Sequence, residues 1–333
     1  MGKSRRILDG FSREARLASL YQPTLDMLAA TVAASVGAMP HLGSGDKNRV
    51  DQAAVDAMRA SLRGAEFGGI VVIGEGEKDS APMLYNGELI GVGQPLEWDI
   101  AVDPIDGTAL AARNEPGAVS VMAAADRGSM LQTTEVFYMK KIVTGAAGFG
   151  VVDVDLSATQ NIHALAAELD MSPTDLRVAV IDKPRNTDLI AEIESTGATW
   201  VRFAEGDVAM AVAAALPNSG VDMLLGVGGA PEGVVTACAV RCLGGFMQAR
   251  FAPQTPDEIE RAMMADYDLE KKLELLDLVA GERLSFVLSG VTEGMFTPGI
   301  VKDEDSNELI VQSLVLDHMS SAPSFVEVRV ERL

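Results

Sequence analysis

Between residues 24 and 39 apolar side chains return at Leu25, Leu28, Val32 and Val36, the spacing of one helix face, and Gly37 with Pro40 ends the run. A loop rich in Gly and charge follows at 42–48, and a second helix is expected over 50–62. Asp51 lies four, seven and eleven residues before Val55, Met58 and Leu62, so a carboxylate shares the face that packs inward. It is either an N-terminal cap or first-turn acid favoured by the helix dipole, or a working group. A five-residue apolar strand at 69–73 then runs into Gly74-Glu75-Gly76-Glu77, and a strand at 98–102 runs into Asp103-Pro104-Ile105-Asp106-Gly107-Thr108 and an Ala-rich helix. In the second turn Pro104 stiffens the chain, and Gly107-Thr108 would offer backbone N–H groups where an anion is favoured. Strands at 118–124, 135–143 and 148–154 and a helix at 157–168 complete a mixed first half.

Beyond residue 176 strands and helices alternate: strands at 177–181, 199–203, 221–225 and 245–249, with helices at 187–195, 208–216 and 234–243 between them. These are βαβ units, whose loops after successive parallel strands emerge on one sheet edge, where ligands bind. The loops carry Lys183-Pro184-Arg185, Glu205-Gly206-Asp207 and Gly228 to Gly233 with Glu232. A helix capped by Thr255 follows, then a run at 269–279 and strands at 285–289, 309–316 and 325–330. The pattern predicts an α/β (α+β) fold, with a mixed sheet in the first half, βαβ units in the second, and domains at 1–155 and 156–333.

Of 333 residues, 48 are Asp or Glu and 27 Lys or Arg, and the resulting charge of −21 repels nucleic-acid phosphates. A small phosphorylated ligand would need bound cations or a local basic cluster. The longest unbroken apolar run, 208–216, falls well short of the roughly 20 residues that span a bilayer, so no membrane partner is expected. Two cysteines, four residues apart on one predicted helix, suit neither a disulfide framework nor a zinc ribbon, and a cytoplasmic location is expected. With three histidines in the chain, carboxylates are the better candidates for chemistry.

The acids at 51, 75, 103, 106 and 232 outnumber the cations near them in sequence, and several carboxylates stay ionised together when a hard divalent ion such as Mg²⁺ or Mn²⁺ lies between them. Two such ions would bridge a phosphate and activate a water for in-line displacement. Glu77 and Asp79 read equally as supporting acids or as solvated loop residues.

Asp103-Pro104-Ile105-Asp106-Gly107-Thr108 resembles the signature of the lithium-sensitive, metal-dependent sugar and inositol phosphatase superfamily. Together with GDKNRVD at 45–51, IGEGEKDSAPMLYNGE at 73–88, FYMKKI at 137–142 and GVGGAPEGVV at 226–235, it makes the chain closely similar to class II fructose-1,6-bisphosphatases from about residue 46 to 292. The resemblance implies a layered α/β/α/β/α sandwich, Mg²⁺ or Mn²⁺ as cofactor, and removal of the 1-phosphate of fructose 1,6-bisphosphate, with sedoheptulose 1,7-bisphosphate accepted by some members. It also implies a homodimer or homotetramer.

Carried over by the resemblance, Asp51, Glu75, Asp103, Asp106 and Glu232 are metal-binding, and Gly107 and Thr108 hold the scissile phosphate. Thr108 orients the attacking water, with Asp51 and Glu75 as its catalytic companions. Tyr138, Lys183 and Arg185 clamp the distal phosphate, and Glu205 and Asp207 take sugar hydroxyls. The sequence departs from the family pattern at Ser44, Asn186 and Glu205. An inositol-phosphate or other small phosphomonoester phosphatase, and a non-catalytic sugar-phosphate sensor, remain open as alternatives.

Overall fold

The structure, a computed structural model, describes residues 22–75, 84–320 and 322–331; Glu77 and Asp79 lie outside the described residues. The chain begins with α1 (Gln22–Ala38), α2 (Lys47–Leu62), β1 (Gly69–Ile73), β2 (Leu89–Ile90), β3 (Trp98–Asp106), α3 (Thr108–Arg113) and β4 (Val119–Asp126). It continues through β5 (Tyr138–Thr144), α4 (Ala158–Glu168), β6 (Arg177–Ile181), α5 (Thr187–Ser195), β7 (Thr199–Phe203), α6 (Asp207–Ala215), β8 (Met223–Gly229) and α7 (Ala230–Leu243). Next come β9 (Phe246–Phe251), α8 (Pro256–Met264), β10 (Leu273–Glu274) and α9 (Leu275–Leu278), and the chain closes with β11 (Leu284–Gly290), β12 (Ile300–Asp303), β13 (Glu308–Asp317) and β14 (Ser324–Glu331).

Two compact units result, one of the residues up to Met130 with those from Gly281 onward, the other of Leu131–Ala280. The boundary expected near residue 155 falls inside the second unit, and the chain after 280 returns to the first. The reason is strand pairing: β11 lies antiparallel to β4, with Leu284 opposite Ala125 and Gly290 opposite Val119. Both sheets are mixed, in keeping with the α/β class.

In the first unit the strand order is β12-β13-β11-β4-β3-β1-β2, with β14 on β13. β1 and β3 are parallel neighbours; the remaining pairs in this sheet are antiparallel. α1 packs on the strands and against α2. Met27, Val55, Met58, Ile100, Val102 and Val287 belong to the core between these elements. α1 also carries hydroxyls inward: Thr24 pairs with Ser285 at 2.8 Å, and Ser289 donates to Thr31 at 2.8 Å. Each buried hydroxyl in these contacts therefore has a partner, which burial requires.

The second unit has the order β10-β9-β5-β8-β6-β7. β6 runs parallel to β7 and β8, as the βαβ pattern predicts, while β5 is inserted antiparallel between β8 and β9. Ile142, Val178, Val180 and Met223 pack in one core with Ile162, Leu165 and Ile193 of α4 and α5. α6 and α7 pack on β5 and β8 and on each other.

Three expectations are corrected. Residues 148–154 are not a strand: Val151 and Val152 N–H both turn back to the Gly148 carbonyl. Side-chain amides replace a ladder there, with Asn161 accepting from Asp153 N–H and Gln248 from Val154 N–H. The run at 269–279 holds the two-residue β10 and the single turn α9, whose start is fixed by a capping box between Glu274 and Asp277. β3 does not stop at 102 but continues through Asp106 across an irregularity in its pairing with β4.

Candidate active site

That irregularity shapes the Asp103–Asp106 segment. Asp103 pairs with Val121 and Asp106 with Val119, so three steps on β3 match two on β4. This is a bulge, and a bulge is where a strand tolerates a proline, here Pro104. One extra residue also breaks the alternation of faces, so the segment presents its acids differently from a regular strand. Asp106 is buried and Asp103 partly buried. Gly107 follows at φ 90°, a left-handed conformation that favours glycine, and starts α3. The Thr108 hydroxyl donates to the Ile105 carbonyl at 3.0 Å, which fixes its proton and leaves its oxygen to accept.

Glu75 stands just past the end of β1, the parallel neighbour of β3. The last registered pair is Ile73 with Ala101, and Glu75 and Asp103 each lie two residues beyond it. Ligands gather at such carboxyl ends of parallel strands. The Glu75 backbone is held by its N–H on the Leu84 carbonyl at 3.0 Å, and Gly74 is required beside it, since a Cβ there would stand 1.9 Å from that same oxygen.

Asp51 belongs to α2, which packs on β3 and α3. It is not the helix cap: Asp46 is, accepting from Arg49 N–H at 3.2 Å. Asp51 is half-buried, and that burial pushes its carboxyl above the usual carboxylate range. Gly43 and Gly45 N–H reach the Ala111 and Ala112 carbonyls, tying the loop between α1 and α2 to the end of α3. The first unit thus places Glu75, Asp103, Asp106, Gly107 and Thr108 at neighbouring strand ends, with Asp51 on a helix packed against them.

The second unit assembles its residues at the carboxyl ends of β6, β7 and β8 and at the start of β5, where Tyr138 pairs with Gly229. The Arg185 guanidinium lies over the Tyr138 ring at 4.7 Å and donates through Nε to the Val227 carbonyl at 2.8 Å. Lys183 Nζ is 4.0 Å from Glu205, both partly exposed. Asn186, 1% exposed, explains how the loop after β6 is held. Its Nδ2 donates to the Ile181 and Val227 carbonyls at 3.2 and 3.1 Å, and its Oδ1 accepts from Val227 N–H at 2.9 Å. The amide continues the contact of β6 with β8 beyond the last registered pair, Ala179 with Leu224.

Glu232, in the first turn of α7, is half-buried, and its Oε2 is sealed from solvent with no hydrogen-bond partner among the described residues. Burial, the largest influence, pushes its carboxyl up; Asp207 adds to this while Lys141 and Arg185 oppose it. One turn further, the buried Thr236 hydroxyl is likewise without a partner among the described residues.

Sequence reasoning missed Lys141. Its Nζ sits 2.9 Å from Asp207 Oδ2 and donates to the Gly229 carbonyl at 3.0 Å. The signal was present in the strand pattern: Lys141 shares a face with Met139 and Val143, both fully buried.

Among the described residues, no three His, Cys, Asp or Glu side chains stand together as a metal cage. Also among the described residues, no helix is long and apolar enough to cross a membrane.

Acids at the ends of adjacent parallel strands in one unit, and cations paired with acids in the other, are the equipment of a hydrolase for phosphorylated compounds. A family model described as bacterial fructose-1,6-bisphosphatase, glpX-encoded, matches residues 22–329, and the chain belongs to that family. It is 42% identical over 283 residues to a class 2 fructose-1,6-bisphosphatase of Haemophilus influenzae, covering 81% of this chain and 85% of that protein. It is 39% identical over 321 residues to a D-fructose 1,6-bisphosphatase class 2/sedoheptulose 1,7-bisphosphatase of Synechococcus sp. strain CC9902, covering 92% and 94%. A protein of the same description from Synechococcus sp. strain CC9311 is 38% identical over 297 residues, covering 85% and 88%.

Proposed function

We infer that the protein hydrolyses fructose 1,6-bisphosphate to fructose 6-phosphate and inorganic phosphate. The observation that carries this is the family match over residues 22–329. The oxygen of a water bonds to the 1-phosphorus, the bond from phosphorus to the C1 oxygen breaks, and that oxygen leaves with a proton. Thr108 serves as the orienting group: with its own proton committed to Ile105, its oxygen accepts a hydrogen bond from the water and so turns the water's lone pair toward phosphorus. Asp51 and Glu75 are the carboxylates proposed to take the water's proton, and Gly107 and Thr108 the backbone that receives the phosphoryl oxygens.

The donors suit a hard divalent ion. All five proposed ligands, Asp51, Glu75, Asp103, Asp106 and Glu232, are carboxylates; Asp51 is half-buried, and Glu232 has a buried oxygen that no described residue satisfies. When bound, Mg²⁺ or Mn²⁺ supplies polarisation of phosphoryl oxygens and a more acidic water. On the second unit, Tyr138, Lys183 and Arg185 are proposed to hold the distal phosphate and Glu205 and Asp207 the sugar hydroxyls. This second cationic site favours a bisphosphate over an inositol monophosphate. Sedoheptulose 1,7-bisphosphate is a second proposed substrate, since two relatives bear both activities in their names. A homodimer or homotetramer in the cytoplasm completes the proposal.

The deciding assay is phosphate release from fructose 1,6-bisphosphate, sedoheptulose 1,7-bisphosphate and inositol 1-phosphate with Mg²⁺ or Mn²⁺, before and after chelation. Chelator-sensitive release from the bisphosphates, lost in Asp103→Asn, is expected. Faster release from inositol phosphate, or full turnover by Asp103→Asn, would overturn the reading.

A further inference from the structure

We propose that Lys141 is a positioning residue for the sugar end of the substrate, acting through Asp207 and the terminus of β8. The inference rests on the role given to Asp207 above and assigns a duty to a cation that role does not explain.

Lysine is rarely fully buried without a paired charge. Lys141 is 2% exposed at the centre of β5, between β8 and β9, opposite Gly226 on one side and Ala249 on the other. Its ammonium makes two contacts, an ion pair with Asp207 Oδ2 and a hydrogen bond to the Gly229 carbonyl. Asp207 Oδ2 also accepts the Gly229 N–H at 3.2 Å. Lys141, Asp207 and Gly229 therefore close a ring of three contacts joining the middle of β5, the first residue of α6 and the last residue of β8. Space for this ring is left by glycine: a Cβ at Gly228 would stand 1.8 Å from Asp207 Oδ2 and 3.0 Å from Lys141 Cε.

The arrangement divides the work of the Asp207 carboxylate. Oδ2 takes both structural donors, while Oδ1 accepts no hydrogen bond from the described residues. A carboxylate pinned by one oxygen presents the other in one direction, which is what recognition of a single hydroxyl needs. A hydrophobic side chain at 141 would fill the space and leave Asp207 buried with its charge uncompensated. The expected consequence is weaker and less directed sugar binding.

The test compares wild type, K141M, K141R, D207N and K141M/D207N as full chains with Mg²⁺, measuring KM and kcat on fructose 1,6-bisphosphate and the Kd of fructose 6-phosphate. K141M should raise KM and Kd about tenfold or more and lower kcat/KM by up to about 10²-fold, the scale of a misplaced contact. K141R, which keeps the charge, should recover part of the loss. The double variant removes both charges and protects the fold if K141M alone unfolds. It should bind no worse than D207N, because both residues act through one contact. A folded K141M with wild-type KM and Kd, or losses that multiply in the double variant, would overturn the inference. Wild type that released no phosphate would overturn the proposed activity instead, with the Kd comparison still deciding the role of Lys141.

Discussion

Truncating Asn186 to alanine tests whether one buried amide holds the cationic loop after β6 onto β8. Three hydrogen bonds are removed, but their loss is unequal. Ile181 O keeps the Lys183 N–H at 2.9 Å, and Val227 O keeps Arg185 Nε at 2.8 Å. Val227 N–H, 2.9 Å from Asn186 Oδ1, is the group left without its partner. An unsatisfied buried donor costs about 1–3 kcal/mol, so about 2 kcal/mol of local stability is expected to go. By amide hydrogen exchange that is roughly a 30-fold faster opening at Val227, since about 1.4 kcal/mol is tenfold. Asn186→Asp refines the test. It keeps the acceptor for Val227 N–H but turns a carboxylate oxygen toward the two carbonyls that received Nδ2, so this near-isosteric change is expected to be worse than alanine. Because Arg185 is anchored on the same Val227 carbonyl, both variants should raise KM for the bisphosphate more than they lower kcat. Unchanged exchange at Val227 in Asn186→Ala, or an Asn186→Asp protein as protected as wild type, would refute the reasoning.

Two further perturbations follow from the geometry. Gly229→Ala puts a Cβ 1.7 Å from Glu232 Oε2, which must turn away inside a buried site, whereas Gly64→Ala meets nothing within 4 Å; phosphate release should fall sharply in the first and persist in the second, and equal rates would show that the position of Glu232 does not matter. Asp155 is held below its ordinary pKa of 3.8 by its hydrogen bonds with Arg250, with the charges of Arg250 and Lys272 adding to the effect. Its contribution is therefore complete above about pH 4 and disappears as pH falls through the depressed value. Since the group is partly exposed, the difference between wild type and Asp155→Asn should stay under about 1 kcal/mol at pH 6 and shrink as acid titration passes through the depressed value; a gap that widened on acidification would contradict the sign.

Much of the fold was legible because local rules acted alone. The helices at 24–39 and 50–62 and the parallel strands at 177–181 and 199–203 follow from periodicity and punctuation. What escaped was set by partners distant in sequence. Residues 148–154 have the apolar content of a strand, yet Asn161 and Gln248 supply the hydrogen bonds a neighbouring strand would have given. The continuation of β3 through Pro104 was hidden because a proline reads as an ending unless a bulge is foreseen. Likewise the division of the chain depends on β11 pairing with β4, which no local pattern reveals. Within the candidate site, loops after parallel strands could be placed on one edge from topology alone. Lys141 was passed over, since a lysine in a strand is ordinarily read as its solvated face, although its alternation with Met139 and Val143 puts it on the buried one.

The distribution of charge gives these observations a common cause. A chain with net charge −21 must receive a doubly phosphorylated sugar without being able to spare cations. In the second unit the cations are each constrained: Arg185 by the Tyr138 ring and the Val227 carbonyl, Lys183 near Glu205, Lys141 by Asp207 and Gly229. A constrained cation contributes to binding with little further loss of side-chain freedom, and its paired acid offers an oxygen suited to a hydroxyl. Lys141 differs from the other two in being sealed from solvent. Its charge is therefore spent on neighbouring protein oxygens rather than on a ligand, and that separates the residues proposed to bind phosphate from the one proposed to arrange the residues around the sugar.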